Sequence, residues 1–161
     1  MTGQEIKTAY ANHLPIIYHH IDGSGISDIE YTDIFSISYI IRVETDGSGR
    51  RRNTFQMFLT LNDTCGHSQS TVPAKDCDLK NPDDLTDCDF TPEIRLPADL
   101  WATFKNQKPI LANICGENVS FPRIRKLEMM LDPDGGIYIT CTVGEHFNGH
   151  RIPASDITII T

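Results

Sequence analysis

Two stretches of this chain carry the same signposts in the same order, and that repetition constrains the fold more than any other feature. Asn12, Pro15 and Ile16 are matched by Asn106, Pro109 and Ile110; Ile6 and Tyr10 by Leu100 and Phe104; Tyr31 and Ile34 by Phe121 and Ile124. Gly66-His67 returns as Gly149-His150, and Val72-Pro73-Ala74-x-Asp76 returns as Ile152-Pro153-Ala154-x-Asp156. The gaps needed to align the copies fall at turns, where insertions are tolerated. Chance similarity between two helix-plus-hairpin segments would not keep so many markers in order, so an internal duplication is the expectation.

Local patterns give each copy its content. Residues 2–13 read as a helix: Thr2 and Glu5 form a capping-box pair, and Ile6, Ala9 and Tyr10 fall on one face. Pro15 ends it, and Ile16-Ile17-Tyr18 opens a first strand. Residues 19–30 are polar and contain glycine, which predicts a loop. Tyr31 to Val43 predicts a long strand, residues 44–52 a basic, turn-rich connector, and Phe55 to Leu61 the returning strand of a hairpin. In the second copy residues 96–107 predict a helix, with Pro97 tolerated in its first turn. Ile110-Leu111, then Phe121 to Leu131, then Ile137 to Val143 predict strands, and Asp132–Gly136 a turn. The expected fold class is α+β, mainly β: a tandem duplication of a short helix plus a small bent antiparallel sheet, the content of an SH3-like barrel. The expected boundaries are 1–79 for the first unit, 80–95 for an acidic, proline-containing linker, and 96–161 for the second unit.

Hydrophobic residues make up 39% of the chain and charged residues 22%, a globular rather than a disordered balance. No apolar run reaches bilayer-spanning length and the start lacks a charged-then-apolar leader pattern, so a cytoplasmic protein with no membrane contact is expected. The odd number of widely spaced cysteines, Cys65, Cys77, Cys88, Cys115 and Cys141, favours reduced thiols. A net charge of −8 argues against a general nucleic-acid binder while leaving room for a local basic patch.

Candidate chemistry is sparse. Cys65, His67, Cys77 and Cys88 are zinc-like in type but lack the paired spacing of zinc knuckles, and the position of Cys65 is Asn148 in the other copy. Asp132-Pro133-Asp134-Gly135 lacks the remaining ligands of a calcium loop, and Gly47-Ser48-Gly49 lacks the Lys-Ser/Thr pair of a phosphate loop. His19 and His20, adjacent on a strand, point to opposite faces. No nucleophile-and-base constellation is apparent, so neither catalysis nor a metal or cofactor is expected. The binding candidates are Arg50, Arg51 and Arg52 at the hairpin tip, with Arg42 nearby and Arg123, Arg125 and Lys126 in the second copy, and the acidic Asp83, Asp84 and Asp87. Arginines at a tip grip phosphates, whereas the aspartates suit a basic partner or a solvated linker.

The start QEIKTAYANHLPIIY, and the later order of long strand, turn, returning strand, Gly-His and Pro-Ala, resemble small uncharacterised accessory proteins of Firmicutes mobile elements. Those proteins look like single copies of the unit doubled here. The resemblance implies a cytoplasmic accessory protein of a mobile element and no reaction; an anti-defence, anti-CRISPR-like inhibitor fits that context. The leading expectation is therefore a non-catalytic module acting through a protein partner. The alternative is a nucleic-acid binder that uses the Arg50–Arg52 hairpin.

Overall fold

The structure, a computed structural model, describes residues 1–84, 96–144 and 149–160. It is mainly β, with antiparallel sheet and two α-helices among the described residues. No helix among them is long and apolar enough to cross a membrane.

Helix α1 spans Gly3–Ala11 and begins as its sequence requires. The Glu5 amide donates to Thr2 Oγ1 at 3.3 Å and the Thr2 amide to Glu5 Oε2 at 2.5 Å, so two amides left over at the helix start are satisfied reciprocally. Ile6, Ala9 and Tyr10 are buried. Helix α2 spans Ala98–Lys105 and buries Leu100 and Phe104. The two helices stop in the same way, without glycine. His13 (φ 51°) and Gln107 (φ 52°) adopt the left-handed conformation, which is uncommon for side chains with a Cβ. That reversal lets the Leu14 amide reach the Ala9 carbonyl and the Lys108 amide reach the Thr103 carbonyl, each at 3.0 Å.

Strand β1 (Ile16–Asp22) follows α1 and pairs on one side with β2 (Gly25–Thr45) and on the other with β5 (Cys77–Leu79). In the chain between β2 and β5 come β3 (Arg51–Asp63) and β4 (Gln69–Pro73); β3 pairs with β2 and with β4, with Leu59 opposite Val72. After α2 come β6 (Ile110–Ile114), β7 (Glu117–Phe121), β8 (Ile124–Leu131), β9 (Ile137–Val143), β10 (His150–Pro153) and β11 (Ile157–Ile159). Strand β6 is flanked by β7 and β11, and β10 pairs with β9, with Ile152 opposite Cys141. Ile16 sits between Tyr31 and Leu79, and Ile110 between Phe121 and Ile159. Both isoleucines are fully buried. Pro73 and Pro153 each lead into a single 3₁₀ turn, Ala74–Asp76 and Ala154–Asp156, because proline cannot donate onward in the ladder.

Two expectations from sequence need correction. Residues 19–30 are not a loop: β1 continues to Asp22, β2 starts at Gly25, and a tight turn joins them. The Asp22 carboxylate accepts from the Ser24 amide at 2.7 Å and the Ser24 hydroxyl at 2.5 Å, and Gly25 takes φ 133°. Most side chains beyond Tyr18 face water on both sides of this hairpin, so the apolar alternation that betrays a strand is missing. Phe121–Leu131 is likewise not one strand, since Pro122 lacks an amide donor and the pairing breaks between β7 and β8.

The described chain forms two compact units. Of the described residues, the first comprises 1–38, 57–84 and 131–136, and the second 39–56, 96–130, 137–144 and 149–160. Strands β2 and β3 contribute residues to both. The core of the first unit contains Ile6, Ile16, Ile34, Leu59 and Leu61, and that of the second contains Phe104, Ile110, Ile124, Leu127 and Val143. Phe104 is completely buried, so Phe104→Ala should lower stability by about 3–5 kcal/mol, read from the urea midpoint. A loss under about 1 kcal/mol would show that α2 is not an integral part of the fold.

Candidate anion-binding site

In the second unit a concavity of about 620 Å³ is lined by Arg42, Arg51, Arg123, Arg125, Lys126 and Arg151, together with Glu44 and several neutral residues. The strands explain why so many cations meet. Side chains alternate across a strand, so a residue beside a buried one is turned outward. Arg42 follows the buried Ile41, Arg123 and Arg125 flank Ile124, Lys126 precedes Leu127, and Arg151 precedes Ile152. In β8 the alternation slips: Ile124 and Leu127 are both buried, leaving Arg125 and Lys126 outside in succession.

The cations are not equivalent. Glu128 Oε2 lies 3.3 Å from Lys126 Nζ and 3.1 Å from Arg151 Nη2, so one carboxylate holds both. Arg125 donates to the Gly144 carbonyl at 3.2 Å. Arg42, Arg51 and Arg123 are exposed and have no acidic group within 4 Å among the described residues. Like charges gathered in one concavity repel one another and focus a positive potential, which attracts anions. Among the lining residues, the Thr142 hydroxyl oxygen is buried and has no hydrogen-bond partner among the described residues.

Of the three arginines at the hairpin tip, only Arg51 lines this concavity. The tip folds around Asp46, whose carboxylate accepts from the Ser48 hydroxyl at 2.6 Å and from the Ser48 and Arg50 amides at 2.9 Å. The Ser48 hydrogen bond, then the Arg50 amide, hold the Asp46 carboxyl below its usual range. The Arg52 guanidinium sits 3.8 Å from the same carboxylate. Arg42, Arg123, Arg125 and Lys126, read from sequence only as neighbours, join Arg51, and Arg151 joins them unannounced. Asp83 and Asp84 are exposed on a 3₁₀ turn, Pro82–Asp84, of the first unit, and Asp87 lies outside the described residues, as do residues 85–95 of the expected linker.

The remaining chemistry lies elsewhere. Burial, then the neighbouring Asp76, pushes the Cys77 thiol up to about 12, and burial alone does the same for Cys141. Such thiols are poor nucleophiles and poor metal ligands at neutral pH. Cys65 is exposed on a turn and Cys77 buried on β5, Cys88 lies outside the described residues, and no group of three His, Cys, Asp or Glu among the described residues is placed to hold a metal. In the first unit a more apolar hollow of about 460 Å³ is lined by Tyr10, Phe35, Pro133 and the His13–Asp33 pair, 3.0 Å apart. Comparison with protein-family models, curated proteins and solved structures returned no significant match to the chain.

His19 clips three strands together. Its Nδ1 lies 2.7 Å from Asp28 of β2 and its Nε2 lies 3.0 Å from Asp78 of β5. The bond to Asp28, then that to Asp78, raise the histidine pKa, and the bond from His19 lowers that of Asp78. The histidine's contribution to stability is full below its unfolded value of about 6.5 and is lost as pH rises through the raised folded value. That of Asp78 is present above about 3.9 and lost as pH falls through the lowered value. An NMR titration should therefore place the His19 midpoint above 6.5, and His19→Gln should flatten the pH dependence of the urea midpoint across that window. A His19 midpoint at or below the ordinary value would show that the clip does not form.

Proposed function

We propose that the chain is a non-catalytic binding module that engages an anionic partner through the basic concavity of its second unit. The observation that carries this reading is the convergence of Arg42, Arg51 and Arg123, none with an acidic group at ion-pair distance among the described residues, in a chain whose net charge is −8. A chain that needed only solubility would leave its cations dispersed among its many carboxylates. The nearest alternative, a set of solvated strand positions, does not account for six cations lining one concavity.

The module is, on the same reading, a tandem duplication of one SH3-like unit. The matched sequence markers support it, as do the shared left-handed helix stops at His13 and Gln107, the flanked isoleucines Ile16 and Ile110, and the paired 3₁₀ turns after Pro73 and Pro153. The concavity draws Arg42 and Arg51 from the first copy and Arg123, Arg125, Lys126 and Arg151 from the second. A separate contact with a protein partner is favoured by Ile21 and Ile26, which face each other across the β1–β2 hairpin and are 68% and 71% exposed. The opposed pair puts apolar surface together at the end of this hairpin, the kind of surface a partner covers when it is part of a larger patch.

Capture of the partner by the tagged full-length protein tests the reading. The charge-reversed Arg42→Glu, Arg51→Glu, Arg123→Glu variant should lose it, whereas Asp83→Asn, Asp84→Asn should retain it. Retention by the charge-reversed protein, with loss in Ile21→Ser, Ile26→Ser, would move the contact to the hairpin tip and discard the concavity.

A further inference from the structure

Resting on that reading, we propose that the anion is the phosphate backbone of a single nucleic-acid strand. Arg42, Arg51 and Arg123 each meet a phosphate, and Glu128 holds Lys126 and Arg151 back from it.

Three features of the concavity define the ligand class. First, no aromatic residue is among its lining side chains in the described residues, so the described lining offers no platform for stacked bases, which single-strand binders of the base-gripping kind rely on. What remains is charge and hydrogen-bond donation, the means by which proteins hold sugar-phosphate backbone without reading sequence. Second, at about 620 Å³ the space is that of a small-molecule pocket, for which about 300–1,000 Å³ is usual. A few linked phosphates enter such a space, whereas a duplex, too broad to enter, would touch only its rim. Third, the arginines come from three separate parts of the chain, Arg42 from β2, Arg51 from β3 and Arg123 from the junction before β8. A planar guanidinium grips a phosphate through two parallel hydrogen bonds, which suits arginine better than lysine to this task.

Glu128 adds a second property. Its side chain is 17% exposed, and its Oε2 is shared by Lys126 and Arg151. These two cations arrive already neutralised in part, so a phosphate gains little from them unless it displaces the carboxylate. With those two engaged by Glu128 and Arg125 engaged by the Gly144 carbonyl, the effective count of phosphate contacts is three, the arginines that lack an acidic partner among the described residues, and not six.

Salt dependence reads that count. For a single strand the slope of log affinity against log salt is about −0.7 per phosphate contact, so a labelled oligothymidine strand should bind the full chain with a slope of about −2. Each of Arg42→Ala, Arg51→Ala and Arg123→Ala should flatten the slope by about 0.7, and Lys126→Ala should leave it nearly unchanged. Glu128→Gln frees two cations, so it should tighten binding and steepen the slope toward about −3.5. Circular dichroism of each variant separates a lost contact from a lost fold. Equal or tighter binding of the matching duplex, or a Lys126→Ala effect as large as that of Arg42→Ala, would overturn the inference while leaving an anionic partner standing. Binding of polyglutamate but not of oligothymidine would assign the concavity to an acidic protein and overturn it too. No binding to either polyanion would remove the anionic-partner reading and this inference together.

Discussion

The alternation of side chains along a β-strand is the constraint on which the proposed site depends. Every cation in the concavity except Arg51 is the chain neighbour of a buried apolar residue: Ile41, Ile124, Leu127 or Ile152. Burial of those residues drives folding, and the geometry of the strand then fixes the cations on the opposite side. The repulsion among them is thus offset by hydrophobic burial in the same strands, with only Lys126 and Arg151 relieved locally by Glu128. A side chain anchored in this way loses less freedom on binding than one carried on a loop, which favours a preorganised site.

The same economy governs the turns. Asp22, Asp46 and Asp132 each begin a reversal and accept hydrogen bonds from the amides that follow, so a carboxylate replaces backbone pairing where the chain changes direction. Three of the chain's 22 acidic residues are thus employed in turn chemistry. That leaves Asp46 engaged with its own turn and with Arg52, at the hairpin end next to the concavity lining that includes Thr45 and Arg51.

Much of the fold was legible in the sequence because its signals are local. The Thr2–Glu5 capping box, the Pro15 and Pro109 stops, the hairpin centred on residues 46–49 and the turn at Asp132–Gly136 all follow from residues a few positions apart. The β1–β2 hairpin was missed because, beyond Tyr18, its side chains lack an apolar face. The site was only partly legible. Arg50–Arg52 attracts notice as a run, yet Asp46 engages the Arg50 amide and the Arg52 guanidinium, and only Arg51 reaches the concavity. Arg151 carried one usable signal, its place one residue before the segment Ile152-Pro153-Ala154-x-Asp156 that matches Val72-Pro73-Ala74-x-Asp76, which makes it the chain neighbour of a core isoleucine. Its meeting with Arg42, more than a hundred positions away in the chain, is a tertiary fact that no local pattern encodes.

The most direct test of the central claim is to follow the arginine side-chain NMR resonances of the full chain while adding an oligothymidine strand. The account predicts that the Nε–Hε signals of Arg42, Arg51 and Arg123 shift together along one binding curve, while those of Arg50 and Arg52 stay in place. Shifts confined to Arg50 and Arg52, or to backbone amides of the first unit around Asp83 and Asp84, would contradict it.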